Sequence, residues 1–102
     1  MKVIKCLAEK IQDELDDAEA YIDAAISWKT DEPGVADLFS ELSDEEMGHM
    51  EKLHEKVLEL IEDYRERNGD PPQGMMALYE WLHNKYTKHA MQIRVKQGMF
   101  RA

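Results

Sequence analysis

Apolar residues recur along this chain at intervals of three and four, in three stretches separated by two short breaks. From Val3 to about Lys29, Ile4, Leu7, Ala8, Ile11, Leu15, Ala18, Ile22, Ala25 and Ile26 share one side of a helix, with Lys10, Asp13, Asp16, Asp17 and Asp23 mainly on the other. That period predicts an amphipathic α-helix. Thr30-Asp31-Glu32-Pro33-Gly34 interrupts it, with Thr30 or Asp31 suited to cap the next helix and Pro33 suited to its first turn. A second helix follows over 34–67, with Leu38, Phe39, Leu42, Glu46, His49, Met50, Leu53, Val57, Leu60 and Tyr64 as its stripe. Asn68-Gly69 and Asp70-Pro71-Pro72 stop it. At ~1.5 Å per residue it spans about 50 Å, long for so small a chain. A third helix over 73–99 carries Met75, Tyr79, Leu82, Tyr86, Ala90 and Ile93; Met75-Met76 reads as adaptable packing, and the end from Lys96 to Ala102 as fraying. The chain shows no internal repeat, linker or low-complexity segment. The prediction is an all-α fold: one domain over 1–102, with three antiparallel helices near 3–29, 34–67 and 73–99.

Polar residues inside the stripes are the candidates for chemistry. Glu14 follows Leu7 by seven and precedes Tyr21 by seven and Trp28 by fourteen. A carboxylate in such a row must be paired, protonated or bound to a cation, unless it sits at the edge of the stripe and reaches water. Glu46 and His49, three apart in the second helix, project from one face and can close on one metal ion. Glu51/His54 and Glu80/His83 share this spacing, and any such pair can equally be two solvated side chains.

Position separates the three pairs. A short turn makes its helices antiparallel neighbours, so residues equidistant from it lie at one level. Glu14 is 17 residues before Asp31 and Glu46 is 15 after it, which puts the two carboxylates roughly 25 and 22 Å from the same turn. Glu51/His54 reflects onto the region of Ala8 and Ile11, which offers no inward carboxylate, and Glu80/His83 reflects onto Val57 and Leu60. The predicted site is therefore Glu14, Glu46 and His49. By the same reflection about Asp70, His89 falls opposite Glu51 and Arg94 opposite Glu46, so the third helix offers a supporting contact, although an ordinary half-buried histidine bonded to a neighbour is the favoured reading of His89. Gly48 beside the site suggests close backbone approach.

Composition narrows the partners. A chain of 102 residues can build one core but not two. With 22 acidic against 13 basic residues the formal charge is −9, which argues against nucleic acid or an anionic membrane surface. The single cysteine, Cys6, rules out an intrachain disulfide, a CxxC pair and a four-cysteine metal site. The first residues meet charge too soon for a signal peptide, and no run approaches the ~18 apolar residues of a membrane helix. A reducing, cytoplasmic setting is expected.

A glutamate seven before a tyrosine on one helix, followed some thirty residues later by Glu-Glu-x-x-His on an antiparallel helix, resembles the ferritin-like superfamily. Here these are Glu14, Tyr21 and Glu45-Glu46-Met47-Gly48-His49, within the first two helices. The resemblance implies a di-iron centre held by Glu14, Glu46 and His49, with Tyr21 beside the metals; manganese and zinc suit the same donors. It also implies a departure. Ferritins and rubrerythrins carry a full four-helix ligand set in one chain, whereas this chain has half, and it lacks the cysteines of a rubredoxin-like module. The half-set is most similar to the encapsulated ferritins, which build the centre between two subunits. A homodimer or higher oligomer is then expected, although no tail for docking into a protein shell is recognisable. The competing expectation is a helical interaction module whose stripe glutamates and histidine satisfy one another.

Overall fold

The helical period is realised in the computed structural model, which describes residues 2–102, as α1 (Lys2–Trp28), α2 (Pro33–Asn68) and α3 (Gln73–Arg101), with no strand among them. α1 is the shared partner: α2 packs along it, α3 packs on it more lightly, and α2 and α3 barely touch. Cross-helix bonds fix the directions. Ser43 on α2 donates to the Ala18 carbonyl on α1, while Tyr86 of α3 donates to the Ala8 carbonyl and Lys96 of α3 meets Asp23. α2 is thus antiparallel to α1, and α3 runs parallel to α1. The body measures 56 × 19 × 17 Å, with a radius of gyration of 16.4 Å, against about 13 Å for a compact chain of this size. So elongated a shape leaves much of each helix without a neighbour.

The α1 stripe is buried as expected, with Ile11, Leu15, Ala18, Ile22 and Ala25 essentially inaccessible; Ile26, at its edge, is 43% exposed. Burying a side chain such as Leu15 is worth about 1.5–3 kcal/mol. On α2 the buried face differs from the expected one. It passes through Ala36, Ser40, Ser43, Met47, Val57 and Ile61. Met47 rather than Glu46 points inward, a rotation of roughly 100° for one residue. The two serines concealed it, because a pattern search scores them as polar. Ser43 is buried because its hydroxyl is fully used, donating to Ala18 at 2.7 Å and accepting from Gln97 Nε2 at 3.0 Å.

The ends of the helices correct two further expectations. Neither Thr30 nor Asp31 caps α2: Glu32 holds the N-cap position without a side-chain hydrogen bond, and Pro33 opens the helix. The Glu32 N–H is already engaged by the Trp28 carbonyl, which makes the turn an extension of the α1 terminus. At the other end the chain does not fray. α3 continues to Arg101, with Phe100 buried against Ile22, Ala25 and Ala36, Lys29 Nζ on the Phe100 carbonyl at 2.6 Å, and Arg101 paired with Asp44. Gly69, at φ +79°, closes α2 in a conformation that favours glycine. Gly48 marks no close approach, since a Cβ there would meet nothing within 4 Å.

Gln97 is also fully buried, and its amide holds α3 to α2 through Ser43. Ser43→Ala is expected to cost about 1–3 kcal/mol by stranding the Gln97 amide, and adding Gln97→Leu should recover most of that. Urea denaturation of the two single variants and the double variant measures the coupling. An additive double variant would contradict it.

Candidate metal centre

α1 and α2 bring Glu14, Glu46 and His49 together. One ligand atom from each lies within 4.8 Å of the others, and it is the cluster of this kind found among the described residues. His49 Nδ1 is 3.5 Å from Glu14 Oε2 and 3.7 Å from Glu46 Oε2. The level argument therefore holds, but the burial differs from expectation. The Glu14 and Glu46 side chains are 25% and 20% exposed, and His49 is 55% exposed. The offset of the α2 face moves the pair from the core to its rim.

The rim has a definite orientation. Ala8, Gln12, Glu19 and Asp23 meet α3, and at ~100° per residue they lie roughly 120–180° around α1 from Glu14. The triad therefore opens on the face of the α1/α2 hairpin away from α3. Leu7 and Tyr21 share that face on α1, as do Phe39, Leu42 and Leu53 on α2, all half-buried. Trp28 and Leu38 extend it, at 45% and 51% exposure.

Glu14 Oε2 has no accessible surface and no hydrogen bond, the His49 contact lacking the geometry of one. A carboxylate oxygen cut off from both water and donors is unfavourable unless a cation or proton compensates it. Two carboxylates with one imidazole suit iron, manganese or zinc and not the soft, thiolate-seeking ions. The donor set and the orphaned oxygen thus fit a divalent metal, which Glu14, Glu46 and His49 would hold. Comparison with protein-family models, with curated proteins and with solved structures gives no match. The reading of this site therefore rests on its own geometry.

Tyr21 stacks on Phe39, with ring centroids 6.1 Å apart at 24°. It stands about two helical turns from Glu14 and makes no hydrogen bond among the described residues, so its visible role is packing. His89 lies away from the triad, with Nε2 3.4 Å from Glu19 Oε1 and Nδ1 3.4 Å from Gln12 Nε2. Arg94 pairs with Glu51 at 2.7 Å rather than with Glu46. The reflection about Asp70 holds at Ser43–Gln97, which meet at the expected level, whereas the long Arg94 side chain reaches five residues along α2 from the position opposite it, to Glu51.

Spacing assigns His54 and His83 to two separate glutamate–histidine pairs, yet the structure joins the histidines to each other. His54 Nε2 and His83 Nδ1 are 3.2 Å apart across the α2/α3 seam, and Tyr79 stacks on His83 with centroids 5.6 Å apart. Reflecting the histidines themselves, rather than seeking a carboxylate opposite each, would have placed them within a turn of each other. Burial, and secondarily the neighbouring His83, pushes the His54 pKa below its usual 6.5, with Glu55 opposing. A histidine whose folded pKa is depressed is protonated first in the unfolded chain. Its stabilising contribution is present above about pH 6.5 and is lost as the pH falls from there through the folded value. The urea midpoint should therefore drop between pH 7 and 5.5 more steeply in wild type than in His54→Gln; parallel slopes would contradict this.

Proposed function

We propose that this chain is a ferritin-like di-iron protein that binds and oxidises Fe²⁺ at a site completed between two subunits. The observation that carries the reading is the convergence of Glu14, Glu46 and His49 around a buried carboxylate oxygen with nothing to satisfy it. Three donors are too few for two octahedral ions. A two-fold axis through the open face doubles them. That face is already rich in half-buried apolar residues, including Leu7, Phe39, Leu42 and Leu53, which a partner would cover.

Four glutamates facing two divalent ions give a neutral ensemble, and anionic donors favour the ferric state once an electron leaves. Bound iron would supply the redox chemistry, the oxidation of two Fe²⁺ to Fe³⁺ coupled to reduction of one dioxygen, with two protons, to hydrogen peroxide. The chain's residues would hold the charge, through Glu14 and Glu46, beside the imidazole of His49, and a partner covering the surrounding leucines and Phe39 would limit water. The exposed Cys6 is in keeping with a reducing, cytoplasmic setting, and no described helix is long and apolar enough to cross a membrane.

A second reading is favoured by one contact. His49 Nδ1 lies near both carboxylates, so a protonated His49 would satisfy the triad without metal, leaving an interaction module with the same apolar face. Light scattering with added Fe²⁺ under nitrogen tests the assembly. A dimer at micromolar concentration is expected, and a monomer with metal present would overturn the shared site.

A further inference from the structure

A concavity lies not at the triad but on the other side of the hairpin, where α2 and α3 fail to close on each other. It is a groove of about 440 Å³, floored by Ile11 of α1 and walled by Met50 of α2 and by Ala90, Met91 and Val95 of α3. The volume is within the roughly 300–1,000 Å³ of small-molecule sites. Met91 and Val95 are 64% and 61% exposed, so an occupant would cover apolar surface that no part of this chain covers.

Among its polar lining groups Arg94 is the cation, His54 and His83 form a linked pair, and Tyr86 and Thr87 are neutral hydroxyls that donate to the Ala8 and His83 carbonyls. No carboxylate lines it, in a chain with 22 of them. Arg94 is held in place by Glu51, which is outside the lining, at 2.7 Å and by Gln97 Oε1 at 3.2 Å. Those bonds use two of its five N–H donors, leaving three for a ligand. The linked His54–His83 pair and the Arg94–Glu51 pair lie eleven residues apart along α3, or about 16 Å. Arg94 at one end, the histidine pair at the other and mainly apolar side chains between them describe a slot of limited length, which suits a medium-length chain better than a helix running past it.

We infer that this groove binds a free amphiphile with one carboxylate and a hydrocarbon body, the anionic head at Arg94 and the tail along Ile11, Met50 and Met91. The overall charge of −9 would repel such an anion from most of the surface, and Arg94 is the cationic lining group that selects the place. This site is separate from the metal-binding face and does not depend on it.

Calorimetric titration of decanoate, below its micelle concentration, into the full-length protein tests the inference, with decyltrimethylammonium as the cationic match. Saturable uptake of one decanoate per chain is expected, about tenfold tighter than the cation, the ratio one charge-assisted hydrogen bond confers. Met91→Glu should weaken decanoate about tenfold while Met91→Lys does not, although both replace an exposed methionine with a long charged side chain. Circular dichroism of the two variants verifies that both remain helical. Absence of saturable binding, equal affinity for both head groups, or equal loss in Met91→Glu and Met91→Lys would overturn it. So would a fall in oligomeric state in Met91→Glu with no decanoate uptake by wild type, which would make the groove an interface between copies.

Discussion

Glu14→Ala, Glu46→Ala and His49→Ala are each expected to abolish aerobic Fe²⁺ oxidation, whereas Glu80→Ala and His83→Ala leave it intact. Groups that merely support metal ligands cost about 10–100-fold when removed, so loss of a ligand should reach at least about 100-fold. The control pair has the same three-residue spacing but lies elsewhere, His83 being engaged with His54. Stability should move the other way. Because Glu14 Oε2 is buried and unsatisfied, Glu14→Ala removes an unfavourable carboxylate and should leave metal-free protein as stable as wild type or more so, as sites kept for function often do. If the triad is instead a structural ion pair, Glu14→Ala lowers stability and oxidation, if any, proceeds at the wild-type rate. Oxygen-uptake rates and urea midpoints on the same samples distinguish the two readings.

Leu15→Ala should give the largest loss of stability. Leu15 has no exposed surface and belongs to the core that joins all three helices, together with Ile11, Ala18, Met47, Val57 and Ile93. Truncating a leucine in such a position costs about 2–5 kcal/mol, because the transfer energy is lost and a cavity remains. A domain of this size gains only about 5–15 kcal/mol on folding, so the midpoint of thermal unfolding should fall by roughly 10–30 °C. The neighbouring Glu14 stays on its helix face, and Fe²⁺ oxidation below the new midpoint should persist. A change under about 1 kcal/mol would mean that the core is not organised around α1.

The sequence disclosed α1 almost completely, because Ile4, Ala8, Ile11, Leu15 and Ile22 are apolar wherever the helix is buried. It disclosed α2 less well. Ser40 and Ser43 occupy buried positions that only a cross-helix view explains, since the Ser43 hydroxyl is satisfied by Ala18 and Gln97. The same property hid Gln97, while Phe100 was concealed because docking on Ile22, Ala25 and Ala36 overrides the weak helical signal of the last residues. The triad was legible from register alone, because the turn at Thr30–Gly34 is short enough to fix it. Its exposure was not, being set by which side of α2 faces inward. The His54–His83 contact follows, within a helical turn, from reflection about the second turn, whereas the α2/α3 groove depends on how far α3 leans toward α1, a rigid-body relation that no local pattern encodes.

Anaerobic titration with Fe²⁺ tests the central claim most directly. One ion per chain, two per dimer, should bind wild type with saturable affinity, and Glu46→Ala should bind none at the same concentrations. Equal binding by the two proteins, or none by wild type, would contradict a metal centre built from Glu14, Glu46 and His49.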